Sequence, residues 1–162
     1  MLIIMNVMYI IILPGTFTVL VPYFLLARNH TSAPASWHAQ QDIGLLLVLF
    51  GIFIVLHCIW DFATLGRGTP ALTNPPKKLV TRGIYQYVRN PLYIGILFLL
   101  MGETILFGSL PLLRYMAGYC IFVHVLVVYY EEPHLLREFG ESYELYSRSV
   151  NRWVPVKKRQ YL

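Results

Sequence analysis

The stretch LVTRGIYQYVRNPLYIG, residues 79–95, decides the fold, because it turns a basic loop into an apolar helix at one identifiable point. Asn90 followed by Pro91 marks that point. An asparagine side chain can cap free backbone N–H groups, and proline at the first helical position gives up no hydrogen bond. Arg82, Tyr85, Tyr87, Arg89 and Tyr93 surround the cap with cationic and phenolic donors. A helix start already carries partial positive charge, so this mouth suits an anionic group. A plain capped membrane helix would carry the same Asn-Pro pair; the donors around it are what make the stretch a candidate site.

Downstream, Pro91 to Gly108 is apolar apart from Glu103. At about 1.5 Å per residue this run is long enough to cross roughly 27 Å of hydrocarbon. Gly108 to Leu112 reads as a turn, and Leu112 to Tyr130 crosses back. Glu131 and Glu132 are therefore expected on the face where Asn90 and Pro91 enter, so that two motifs forty residues apart in sequence meet. Glu103 lies roughly 18 Å along the third span, where a carboxyl group must be protonated, paired or facing a cavity. His124 is assigned a different depth from Glu131 and is not paired with it.

Upstream, Leu2 to Leu26 is a first apolar stretch broken by Pro14-Gly15 and Pro22, where proline should bend the span. A cleaved signal peptide, with Ala33-Pro34-Ala35 as the cleavage site, is set aside because the segment lacks a cationic start and its apolar part is too long. His30 and His38 in the following polar loop read as solvated. Ile43 to Phe62 is the second span, and His57 and Asp61 lie one turn apart at its end. They form either a paired polar contact or a base with its orienting carboxylate. The sequence thus predicts an all-α integral membrane protein forming one domain, with spans at about 2–26, 43–62, 91–108 and 112–130.

Charge sets the orientation. The Gly- and Pro-rich loop 63–90 holds Arg67, Lys77, Lys78, Arg82 and Arg89 with no acid, and the C-terminal part holds Arg137, Arg148, Arg152, Lys157, Lys158 and Arg159. Only Arg28 and Arg114 lie on the other side, so the positive-inside rule places both termini in the cytoplasm. A hydrophobic content of 57% and a mean hydropathy of +0.57 fit that class. The net charge of +5 is explained by lipid headgroups more simply than by nucleic acid. Cys58 and Cys120 fall inside apolar spans and read as packing residues, not as a disulfide or metal pair.

After Pro133, the residues Leu135, Leu136, Phe139, Tyr143, Tyr146, Val150 and Trp153 recur at helical steps, with charged residues off the stripe. This is the pattern of a C-terminal amphipathic interfacial helix, either a passive tail or a lid, bent at Gly140 and followed by the basic tail 157–159.

The R-N-P-x-Y-x-G motif at residues 89–95, the hydrophobic hairpin, the Glu131-Glu132 pair and the tail Leu135, Phe139, Gly140, Tyr143, Tyr146 with Arg152 to Pro155 together resemble the isoprenylcysteine carboxyl methyltransferase and phospholipid methyltransferase superfamily. The resemblance covers roughly residues 79–155. The usual family form is R-H-P; Asn90 stands in place of the histidine and keeps the helix cap. The resemblance implies a membrane enzyme that takes S-adenosylmethionine at the cytoplasmic face and methylates a lipophilic acceptor. Prenylcysteine-like carboxylates, phospholipid amines and other small lipophilic molecules all qualify as acceptors. No G-x-G-x-x-G follows a strand pattern, so helix ends and loops must hold the cofactor. The cofactor-binding candidates are Tyr85, Arg89, Asn90, Pro91, Tyr93, Gly95, Glu131 and Glu132; the catalytic candidates are Arg89, Asn90, His57 and Asp61. Methyl transfer from a sulfonium needs alignment and exclusion of water, and no metal. An NADPH-dependent reductase of the sterol reductase type and a non-catalytic four-span interaction protein remain as alternatives.

Overall fold

A computed structural model describes residues 14–31, 36–61, 64 and 79–156. The start of the first span, the Ala33 to Ala35 segment, the loop with Arg67, Lys77 and Lys78, and the tail with Lys157, Lys158 and Arg159 lie outside the described residues. Among the described residues every regular element is helical. A π-helical segment, Thr16–Leu20, leads into α1 (Val21–Arg28), followed by α2 (Ala39–Asp61). A 3-10 turn, Gly83–Gln86, precedes α3 (Pro91–Phe107), which is followed by α4 (Leu110–Leu126). A second π-helical segment, Val127–Glu131, carries α4 directly into α5 (Glu132–Phe139), and α6 (Glu141–Ser149) ends the helical part.

Several boundaries differ from the sequence expectation for identifiable reasons. The fourth helix begins at Leu110 and not Leu112, because Pro111 fits the first turn, where its missing N–H is no loss. Pro133 does not start a separate helix either. The Glu132 N–H donates to the Val127 carbonyl, a wide i to i−5 turn placed just before the proline. The wider turn moves the carbonyls that a proline ring would strike, so the helix passes through. The same device precedes Pro22, where the Val21 N–H donates to the Thr16 carbonyl. The C-terminal stripe, expected as one helix bent at Gly140, is instead broken there into two, with Gly140 at φ 52° and ψ −129°, outside the range that side chains favour.

Ala39–Asp61 and the continuous helix Leu110–Phe139 are each long and apolar enough to cross a membrane, whereas Thr16–Arg28 and Pro91–Phe107 are shorter apolar helices. The outward side chains of α2 are themselves large and apolar, with Leu46 65% and Phe53 60% exposed. A helix apolar all round is stable in lipid and not in water.

The chain divides into two compact units, residues 1–54 with 95–121, and residues 55–94 with 122–162. The first unit is built on close backbone contact between α2 and α3. A Cβ on Gly44 would lie 2.9 Å from the Gly102 carbonyl oxygen, and one on Gly51 would lie 2.7 Å from that of Gly95. Small residues let antiparallel helices approach in this way without a hydrophobic driving force. Phe50 and Phe98 meet edge to face at 5.0 Å, and the Tyr115 hydroxyl donates to the Phe17 carbonyl at 3.0 Å. The second unit contains the candidate site.

Candidate functional site

Two segments distant in sequence are bonded together along their backbones. The Arg89 N–H donates to the Asn151 carbonyl and the Val156 N–H donates to the Tyr87 carbonyl, each at 2.9 Å. The Asn90 side-chain amide donates to the Arg152 carbonyl at 3.1 Å. Its amide donor is therefore directed at the C-terminal segment, while its backbone carbonyl accepts from Ile94 at the start of α3. From α6 the Tyr146 hydroxyl donates to the Tyr85 carbonyl at 2.8 Å. Tyr143, Tyr146 and Val150 are buried together against Leu79, Leu135, Phe139 and Val156. The apolar stripe seen in the sequence thus covers the 79–90 loop.

A charged cluster sits on this frame. Arg152 grips Glu132 side-on, with Nε donating to Oε1 at 2.6 Å and Nη2 to Oε2 at 2.8 Å. Arg89 Nη1 lies 3.3 Å from the same Oε1 and also donates to the Tyr143 hydroxyl at 3.3 Å. Two guanidinium groups therefore share one carboxylate, in the bidentate geometry that suits arginine. The neighbouring Glu131 accepts a short hydrogen bond from the Tyr93 hydroxyl. The adjacent acids thus have different partners. Burial, reinforced by the Glu132 carboxylate, pushes the Tyr143 phenol above its ordinary range, and the hydrogen bond to Glu132 raises Arg152 further.

A second polar group lies at the end of α2. His57 Nδ1 is 3.2 Å from Asp61 Oδ2, a charge-pair distance. Asp61 is buried, and its carboxylate packs on Gly83, where a Cβ would fall 2.0 Å from Oδ2. Tyr85 is buried beside Cys58 and Asp61. Burial, with Cys58 close by, pushes its phenol well above the ordinary range.

Of the residues nominated from sequence, Arg89, Asn90, Tyr93, Glu131 and Glu132 are brought together, and Pro91 is fully buried as the first residue of α3. Tyr85 belongs with His57 and Asp61 instead. Gly95 lies in the helix contact of the other unit, its carbonyl facing Gly51. Sequence reasoning left out Arg152 and Tyr143, although both stand in the tail motif; nothing local to them shows that they fold back onto Glu132. A groove of about 350 Å³ lined by Leu79, Thr81, Ser142, Leu145 and Tyr146 holds none of the charged residues. Among the described residues no group of three His, Cys, Asp or Glu side chains is arranged to hold a metal ion.

The chain that carries this cluster is similar to known proteins. A family model described as phospholipid methyltransferase matches residues 40–142. The chain belongs to the phospholipid methyltransferase family. That match begins in α2 and ends in α6, so it contains Glu131, Glu132 and the whole 79–95 stretch, with Arg152 just beyond it. Among curated members of this wider group, the chain is 35% identical over 85 residues to a protein-S-isoprenylcysteine O-methyltransferase of Schizosaccharomyces pombe, covering 51% of this chain and 35% of the relative. It is 31% identical over 119 residues to the enzyme of the same name from Dictyostelium discoideum, covering 70% and 48%. A methanethiol S-methyltransferase of Crocosphaera subtropica is 33% identical over 120 residues, covering 70% and 44%. The chain spans less than half the length of these curated relatives. No solved structure matches it.

Proposed function

We propose that this phospholipid methyltransferase family member is an S-adenosylmethionine-dependent methyltransferase of a membrane, acting on a lipophilic acceptor. The observation that carries the reading is the cluster of Arg89, Tyr93, Glu131, Glu132 and Arg152 beside the Asn90-Pro91 helix start. The donor set fits such a cofactor. Arg89 Nε is buried and makes no hydrogen bond among the described residues, so the guanidinium retains a donor for a carboxylate. Glu131 takes Tyr93 on one oxygen and keeps acceptor capacity for an ammonium or a ribose hydroxyl. Glu132, held by two arginines, orients the guanidinium groups.

When bound, S-adenosylmethionine supplies a methyl group activated by a sulfonium. The protein's part is to align the acceptor and exclude water, and the C-terminal segment paired with residues 87–90 serves the second purpose. Asn90 joins that segment to the helix start. A carboxylate or thiolate acceptor needs no base. For an ammonium acceptor His57, oriented by Asp61, is the residue to take the proton. The relatives' names differ in acceptor, one group at oxygen and the other at sulfur. For this chain the acceptor class proposed is a lipophilic carboxylate, amine or thiol reached from the bilayer. In the topology proposed here, four spans with both termini in the cytoplasm, the cluster belongs to the inner leaflet.

The experiment is incubation of the purified protein with methyl-labelled S-adenosylmethionine and a membrane extract. Label in a lipid, prenyl-peptide or thioether fraction, dependent on Glu131, is the expected result. Absence of transfer together with absence of S-adenosylhomocysteine binding overturns the proposal.

A further inference from the structure

We infer that Trp153 and His124 are positioning residues: their contact sets where the C-terminal strap, residues 150–156, lies on the charged cluster. The indole Nε1 donates to His124 Nδ1 at 3.1 Å, with the ring centroids 6.1 Å apart and tilted by 35°. An indole N–H can only donate, so Nδ1 must accept and the imidazole proton must sit on Nε2.

The consequence follows from where the two ends of this bond are attached. His124 and Glu132 lie on one continuous helix, eight residues or about 12 Å apart along the axis. Trp153 and Arg152 are consecutive on the strap. The strap therefore meets that helix at two points, Arg152 on Glu132 and Trp153 on His124. One point of attachment would leave the strap free to swing about it; two set its direction. The Arg152 carbonyl that receives the Asn90 amide, and the Asn151 carbonyl that receives the Arg89 N–H, are carried in the same piece of chain. Moving Trp153 therefore moves the groups that hold Arg89 and Asn90. This inference rests on the cofactor reading of the cluster only for its effect on affinity.

Three variants of the full chain in detergent test this. Trp153→Phe keeps a ring and removes only the N–H. His124→Gln keeps an acceptor oxygen, and His124→Phe keeps none. Trp153→Phe and His124→Phe are expected to speed hydrogen exchange in peptides covering residues 87–90 and 150–156, and to weaken S-adenosylhomocysteine binding about three- to tenfold. His124→Gln should retain the slow exchange and the affinity that His124→Phe loses, because its amide oxygen still accepts from the indole. Unchanged exchange and affinity in Trp153→Phe, or losses in His124→Gln equal to those in His124→Phe, overturn the inference. A wild type that binds no S-adenosylhomocysteine overturns the cofactor reading instead, and the exchange measurement still decides the role of the strap.

Discussion

Glu131 and Glu132 are adjacent and chemically identical, yet their neighbours give them different work. Glu132 pairs with two guanidinium groups, its side chain 18% exposed between Arg89 at 12% and Arg152 at 32%. Replacing it by Gln leaves two partly buried guanidinium groups without their charge partner. We expect Glu132→Gln to cost about 2 kcal/mol in detergent-solubilised unfolding, less than a fully buried pair because Arg152 is partly solvated. In Glu131→Gln the amide oxygen still accepts from Tyr93, so stability should change by less than about 1 kcal/mol. Its S-adenosylhomocysteine affinity should nevertheless fall at least about tenfold, measured by titration calorimetry. Equal effects of the two substitutions on stability and binding would contradict this division. Tyr143 gives the alkaline limb. Because burial raises its phenol in the folded state, the native protein keeps the proton longer than the unfolded chain. Stability is therefore fully present below about pH 10 and declines as pH rises toward the folded value. Tyr143→Phe should flatten that limb in unfolding measured against pH. The pairing of Arg89 and the acids with the helix start was legible from residue types and spacing. The unequal partners of the two acids were not, because Arg152 reaches Glu132 across twenty residues of chain.

At the scale of elements, the glycines separate steric from conformational demands. Gly83 opens the 3-10 turn at φ 63°, and a Cβ there would fall 2.0 Å from Asp61 Oδ2. Gly140 joins α5 to α6 at φ 52°, with nothing within 4 Å of where a Cβ would stand. Gly140→Ala should therefore carry only the backbone term, about 1 kcal/mol, whereas Gly83→Ala adds displacement of a buried carboxylate and should exceed about 2 kcal/mol. Thermal unfolding of the two variants side by side checks the order; equal losses would mean that Asp61 yields freely. A change of direction at Gly140 was readable, since glycine interrupts an otherwise helical stripe; the full break was not. The passage of the chain through Pro22 and Pro133 was not. Proline marks a place where an ordinary α-turn fails, and two remedies are open to it, a new start or a widened turn. Local sequence does not choose between them; in the fold, the widened turn keeps Glu131 and Glu132 on the same continuous helix as His124.

For the whole molecule, the charge distribution makes a statement about sidedness that labelling can test. With Cys120 replaced by Ser and Cys58 buried, a cysteine introduced at the exposed Ser36 should react with an impermeant maleimide from outside intact cells. One introduced at the exposed Glu141 should react only after permeabilisation. Reaction of both from one side would remove the four-span arrangement.

The sequence by itself determined the helical class, the apolar helices and the motif that places the chain in its family. Those are properties of runs of neighbouring residues, expressed in composition and in periods of a few residues. Tertiary structure alone decided that the C-terminal segment lies along residues 87–90, that Arg152 reaches Glu132, and that Trp153 meets His124. The physical reason is that each of these contacts joins residues twenty or more positions apart. Which donor finds which acceptor at that separation depends on how the helices pack, and no local pattern records it.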